Sequence, residues 1–197
     1  MLKIIGKPTS INVRKVLWTC VELGLPFERA EWSEEHAALN PNRMVPVLVD
    51  AGFVLWESNA ICRYLCQGAD TLLPADARER ARVEQWMDWQ ATELNNAWRY
   101  AFMALVRASP AHTDPVQVAA SVAAWNRHVG ILDAQLAATA ACVAGEHFTL
   151  ADIVIGLSLN RWSMTPMARP EYPNVAAYLA RLAERPGYRA WCANGIP

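Results

Sequence analysis

The period of the apolar residues changes once along the chain, and that change constrains the fold more than any other feature. Up to Gly68, short apolar runs alternate with segments of helical period; beyond Asp76 only the helical period remains. Leu2–Ile5 ends at Gly6 and Pro8 and reads as a first strand. Val13, Val16, Leu17, Cys20 and Val21 recur at helical spacing, on a helix that Gly24 and Pro26 bring to an end. Phe27–Trp32 reads as a second strand by composition. Val45–Val49 and Phe53–Trp56 flank Asp50-Ala51-Gly52 and read as a hairpin. Pro46 inside the first of these runs calls for an edge position, a strand start or a cis bond. Glu57-Ser58-Asn59 then opens a helix with Ile61 and Leu65 on its core face. The order βαβ followed by ββα implies one sheet with helices packed on it.

Gly68–Asp76 carries Gly68, Asp70, Pro74 and Asp76 and reads as a linker, which divides the chain into residues 1–75 and 76–197. In the second part, Ala77–Ala108 reads as one long helical run. Ser109–Pro115 interrupts it with two prolines, and Val116–Ala141 follows as a second long helix. Thr149-Leu150-Ala151-Asp152 is an Asp version of the capping box, with Phe148 and Ile153 placed as a hydrophobic staple. The helix Leu150–Arg161 is apolar on nearly all sides and is expected at the buried centre of this part. Asn174–Glu184 and Pro186–Trp191 supply two shorter helices.

Composition narrows the function classes. Hydrophobic residues make up 53% and charged residues 19%, enough for a filled core and too apolar for a disordered chain. Eighteen basic and 19 acidic residues give a net charge of −1, so no global field draws the protein to nucleic acid or to an anionic membrane. No window approaches the ~18 apolar residues of a membrane span, and the first apolar run is too short for a signal-peptide core. A cytoplasmic location is expected. The five cysteines include no Cys-x-x-Cys and no zinc spacing, so neither a metal nor a disulfide framework is expected. Cys62 and Cys66 read as small core residues. His36, His112, His128 and His147 show no metal spacing or paired motif and read as structural or surface residues. There is no Gly-x-Ser-x-Gly elbow, dinucleotide fingerprint or phosphate loop.

Two helix starts remain as chemistry. One follows Thr9-Ser10-Ile11-Asn12 and the other follows Trp56-Glu57-Ser58, each directly after a strand or strand-turn. Free N–H groups and the helix dipole favour an anion there, and both starts would open at the same end of a small α/β sheet. Such a site suits a ligand with a carboxylate and a thiolate. Ser10, Asn12 and Ser58 are equally the residues that cap helices, and local pattern leaves both readings open.

Longer stretches decide between them. Ser10–Val16, Asn40–Leu48, Trp56–Ile61 and Thr149–Asp152, with Pro173, Tyr178, Arg181 and Arg185-Pro186 in order behind them, give the chain a resemblance to the cytosolic glutathione S-transferases over its whole length. The match is to the bacterial members with Ser or Asn in the active-site turn. The resemblance implies a thioredoxin-like N-terminal glutathione-binding domain, an all-helical C-terminal domain and a homodimer. It implies that Ser10 donates a hydrogen bond to the glutathione sulfur, with Asn12 facing the same atom. Val45 would offer its backbone to the cysteinyl part, held by a cis Pro46. Glu57 and Ser58 would bind the γ-glutamyl amine and carboxylate.

The activity implied is transfer of glutathione, as its thiolate, to an electrophilic and largely apolar second substrate, with Trp98 and Phe102 lining that substrate's pocket or packed as core. Glutathione is then a co-substrate. Glutathione-dependent disulfide or peroxide reduction, and a non-catalytic binding or regulatory role on the same fold, are the alternatives. Ser rather than Cys at position 10 argues against thiol transfer through an enzyme cysteine. The sequence departs from the family pattern in a short stretch between Trp32 and Asn40, and in Met44 where Lys or Gln is frequent, which leaves Arg43 as the neighbouring cation.

Overall fold

The computed structural model describes all 197 residues. Strands β1 (Leu2–Ile5), β2 (Phe27–Ala30), β3 (Val47–Asp50) and β4 (Phe53–Trp56) form one sheet in the order β2-β1-β3-β4. β1 and β2 are parallel, because helix α1 (Ile11–Glu22) carries the chain back across the sheet between them. β3 runs antiparallel to both β1 and β4. The β3–β4 turn puts Ala51 and Gly52 at φ 47° and 90°, as the tightest hairpins require. Helix α2 (Ser58–Leu65) follows directly. Between β2 and β3 the chain makes only a 3-10 turn, Glu34–Leu39.

The second part is helical throughout: α3 (Ala77–Trp89), α4 (Asn95–Leu105), α5 (Pro115–Thr139), α6 (Leu150–Met164), α7 (Pro173–Leu182) and α8 (Pro186–Trp191). Three expectations need correction. The run read as one helix over 77–108 is split by a π-helical segment, Gln90–Leu94, between α3 and α4. Buried Gln90, the first residue of this wider turn, donates to Asn95 and to Ser158 of α6. The second strand stops at Ala30, short of Trp32. Val21 is 38% exposed, because the last turn of α1 buries its Thr19 and Cys20 side and turns Val21 outward.

α6 is the axis of this part, with every residue from Leu150 to Trp162 buried. Its N-terminus is fixed by the expected capping box. Asp152 accepts from the Thr149 N–H (2.8 Å) and hydroxyl (3.2 Å), and its other oxygen accepts from the Val143 N–H (2.9 Å) and the Tyr178 hydroxyl (2.8 Å). Burial pushes this carboxyl up, and the four donors oppose that.

α1 joins the two parts, packing on α2 on one side and on α6 and α8 on the other. Fully buried Trp18 lies 5.5 Å from the Tyr188 ring and 5.9 Å from Phe148. A Cβ on Gly187 would come within 2.3 Å of the Trp18 ring, so only glycine lets α8 approach this closely. Glu22 accepts from the Trp18 indole and, through both oxygens, from Arg185, whose guanidinium lies 3.7 Å above Phe148. This joint fixes α1 against α8 and against Phe148 at the entry to α6.

Candidate active site

The β1–α1 turn is built for close approach. A Cβ on Gly6, at φ 150°, would meet Val13 at 2.5 Å and Val45 at 3.0 Å. The absence of that atom seats the segment before β3 against the start of α1. The Val45–Pro46 bond is cis, as expected. The Val45 N–H and C=O bond to no other protein group and stay open to an extended ligand.

Ser10 is the N-cap of α1 by backbone conformation, yet its hydroxyl makes no capping hydrogen bond. The capping-only reading therefore fails at this residue. Ser10 and the exposed Asn12 both line a cavity of about 430 Å³. The opposite wall comes from α4 and α6, including Trp98, Phe102 and Arg161. Trp98 and Phe102 line this cavity while also packing edge to face at 5.4 Å, so both alternatives entertained for them hold.

The second helix start is tied to the first. Ser58 is buried, and its Oγ accepts from the Lys15 ammonium at 3.2 Å. Lys15 also donates to Asn59 Oδ1 at 2.7 Å. An oxygen that accepts from a cation keeps its own proton to donate outward, next to the free N–H groups of the α2 start. Burial pushes the Lys15 amine down to about 8, and Cys62 and Glu57 partly offset that. The group is thus mainly cationic at neutral pH. Glu57 is exposed and sits at φ 74°, a region that non-glycine residues seldom enter and that clusters at ligand sites.

Sequence reasoning missed Lys15, because it falls among buried α1 positions whose pattern reads as ordinary helix. It also missed Arg161, the one cation of the buried helix α6; that lone charge was the available signal. Arg161 is 3% exposed, and its guanidinium lies 4.0 Å from the Phe102 ring centre and 4.6 Å from that of Trp98. Burial, then the nearby charges of Arg14 and Arg107, push its pKa down to about 9. Arg43, the neighbouring cation of the short connection, pairs with Glu34 at the surface.

The cysteines offer no competing nucleophile. Burial raises Cys20, Cys66, Cys142 and Cys192 to about 12 and also raises Cys62, so thiolate is scarce at each. His36 accepts from the Ser33 N–H and closes the 3-10 turn, and His128 bonds the Ala124 carbonyl, both structural roles. No group of three or more His, Cys, Asp and Glu side chains is placed to hold a metal ion. No helix is long and apolar enough to cross a membrane.

Comparison with known proteins agrees with this arrangement. Residues 9–67 match the family model of the glutathione S-transferase N-terminal domain, and residues 95–186 match that of the C-terminal domain. The chain is 36% identical to glutathione S-transferase GstB of Escherichia coli (strain K12), over 96% of each chain. It is 32% identical to elongation factor 1-gamma 1 of Oryza sativa subsp. japonica, over 86% of this chain and 41% of that one. Among solved structures, the theta class glutathione S-transferase of Xanthomonas axonopodis pv. citri with glutathione bound superposes with a TM-score of 0.91 at 35% identity, covering 100% of this chain and 99% of that one. A mixed four-stranded sheet with a helical second part, both family models in order, and close relatives along nearly the full length lead to one conclusion: the chain belongs to the glutathione S-transferase family.

Proposed function

We propose that the chain conjugates glutathione to a small electrophile held in the cavity between the β1–α1 turn and helices α4 and α6. The observation that carries this is the Ser10 hydroxyl. It stands at a helix N-terminus and is not used as a cap, and its residue lines the cavity together with Asn12. A hydroxyl donating to sulfur favours thiolate over thiol, and the helix dipole acts in the same sense. Val45 pairs with the cysteinyl backbone, Pro46 holds that edge, and Glu57 and Ser58 take the γ-glutamyl amine and carboxylate. Lys15 supports the Ser58 hydroxyl from behind. The enzyme lowers the thiol pKa and holds two reactants together, the two contributions this reaction needs. We further assign residues 1–75 and 76–197 as its two domains, a two-fold homodimer as its assembly, and the cytoplasm as its location. The homologues named as glutathione S-transferases support the reading.

The test is retention on immobilised glutathione, together with the rate of conjugation to 1-chloro-2,4-dinitrobenzene. Retention with turnover above the uncatalysed rate supports the proposal. Retention without turnover on any electrophile, but with reduction of a mixed disulfide or a peroxide, would favour the reductase alternative. Absence of both would leave a non-catalytic protein on this fold.

A further inference from the structure

The lining of the cavity beside Ser10 carries a charge that the fold does not explain. Lys7, Arg99, Arg107 and Arg161 border it, and no Asp or Glu does. In a chain with 18 basic and 19 acidic residues, four cations without one counter-charge is a local concentration. Lys7, Arg99 and Arg107 are exposed, and water screens them. Arg161 is not screened in this way. Its Nε is buried without an acceptor, its guanidinium has no carboxylate partner, and its neighbours by charge are two further arginines. Arg14 is also buried, and its Nε also lacks an acceptor, but its terminal nitrogens donate to the Asn194 side chain and to the carbonyls of Ile196 and Pro197. A buried cation left unpaired weighs against folding, whereas an apolar side chain of similar volume would not. Stacking on Trp98 and Phe102 offsets part of that cost, but the guanidinium donates no hydrogen bond within the chain, and an acceptor in the cavity would supply the rest.

We propose that the second substrate is an anion: an electrophile with a flat apolar body and a carboxylate that pairs with the Arg161 guanidinium. This rests on the reading that the glutathione sulfur lies against Ser10. The body of the substrate lies along Trp98 and Phe102, whose rings already hold the guanidinium plane in position, and a carboxylate meets that plane through two parallel hydrogen bonds. In the reaction, glutathione gives its thiol proton to solvent, and its sulfur forms a bond to the electrophilic carbon. The carbon–halogen bond breaks, halide leaves with the bonding pair, and the carboxylate is unchanged. No oxidant or reductant is consumed. Arg161 is thus a specificity-determining residue and takes no part in bond making.

The pair 4-chloro-3,5-dinitrobenzoate and 4-chloro-3,5-dinitrobenzamide differs in charge and little in shape. With each kcat/KM divided by the uncatalysed rate with glutathione, the wild type is expected to favour the benzoate by roughly tenfold or more. Arg161→Met should remove most of that preference, and Arg161→Lys should keep part of it. Equal use of the two compounds by the wild type, or an undiminished preference in folded Arg161→Met, would overturn the proposal.

A calorimetric titration of the wild type with 3,5-dinitrobenzoate and 3,5-dinitrobenzamide needs neither a folded variant nor glutathione. Tighter binding of the benzoate, undiminished by saturating glutathione, supports the anion site. Equal binding contradicts it, and so does displacement of the benzoate by glutathione, which would place Arg161 in the glutathione subsite. A protein that binds the benzoate but is not retained on immobilised glutathione would keep the anion site and overturn only the reading of Ser10.

Discussion

Asp152 and Arg161 sit on the same buried helix, and both are withdrawn from water. Asp152 is surrounded by four donors, two from its own capping box and two from Val143 and Tyr178. Arg161 has two aromatic faces and no acceptor. The same contrast recurs at the two helix starts of the N-terminal part. The Ser58 hydroxyl accepts from a buried ammonium, whereas the Ser10 hydroxyl has no partner in the protein. Buried polar groups are nearly always paired, so a saturated carboxylate such as Asp152 serves structure, an open group bordering a cavity serves a ligand, and Ser58, which accepts from Lys15 and keeps its own proton, has one bond left to give. Saturated and open groups should accordingly fail in different ways when they are mutated.

The largest effect is expected at the saturated end. Asp152→Ala leaves four buried donor groups of Val143, Thr149 and Tyr178 without their acceptor, where each lost partner costs ~1–3 kcal/mol. A loss of roughly 3 kcal/mol or more follows, a drop in melting temperature of about 10 °C at the ~2–4 °C per kcal/mol typical of this size. Activity per folded molecule should be kept. A melting temperature within a degree or so of wild type would show that the box is incidental.

Lys15 probes the saturated pair at the second helix start through pH. Its folded pKa, about 8, lies below the 10.5 of the free amine. Between these values the unfolded chain binds the proton and the folded chain does not, so this group's contribution to stability rises with pH over that window. The wild type should therefore gain on Lys15→Met from pH 8 to about 10.5, by up to about 3 kcal/mol at ~1.4 kcal/mol per pKa unit. Denaturant titrations of both proteins across the window measure it, and parallel curves would contradict the burial of a titrating amine.

The open group behaves otherwise. Ser10→Ala should leave the melting temperature nearly unchanged, because no intramolecular bond is lost. It should lower turnover by about one to two orders of magnitude, the loss of a hydrogen bond to a charged acceptor worth ~1.5–3 kcal/mol. A melting temperature that falls while turnover holds would reverse the assignment and make Ser10 a structural cap. The smallest effect is expected at Ser58, whose partner on the ligand is remote from the sulfur. Ser58→Ala should raise the KM for glutathione several-fold with a lesser change in kcat, which steady-state titration with glutathione resolves.

Much of this was legible in the sequence because it is local. Gly6 and Pro8 bound β1, Ala51-Gly52 make the hairpin turn, and Thr149 with Asp152 box the start of α6, each within a few residues. Ser10, Asn12, Val45 and Ser58 were legible as motifs, and the structure brings Val45 to the β1–α1 turn and Ser58 to Lys15. What stayed illegible is tertiary. Val21 fits the apolar face of α1 by spacing, but no element covers its side of that last turn. The π segment at Gln90 has no compositional mark, and the buried amide there meets its partner Ser158 from 68 residues away. Lys15 and Arg161 look like ordinary helix cations until the neighbouring elements close over them.

The most direct measurement is titration of the thiol of bound glutathione, by the ultraviolet absorbance of its thiolate, in the wild type and in Ser10→Ala. The wild type should hold the thiol pKa well below that of free glutathione, and the variant should return it by about one to two units toward the free value, at ~1.4 kcal/mol per unit. An unchanged pKa in a variant that still binds glutathione would contradict the central claim, leaving Asn12 or the α1 dipole as the group that activates the sulfur.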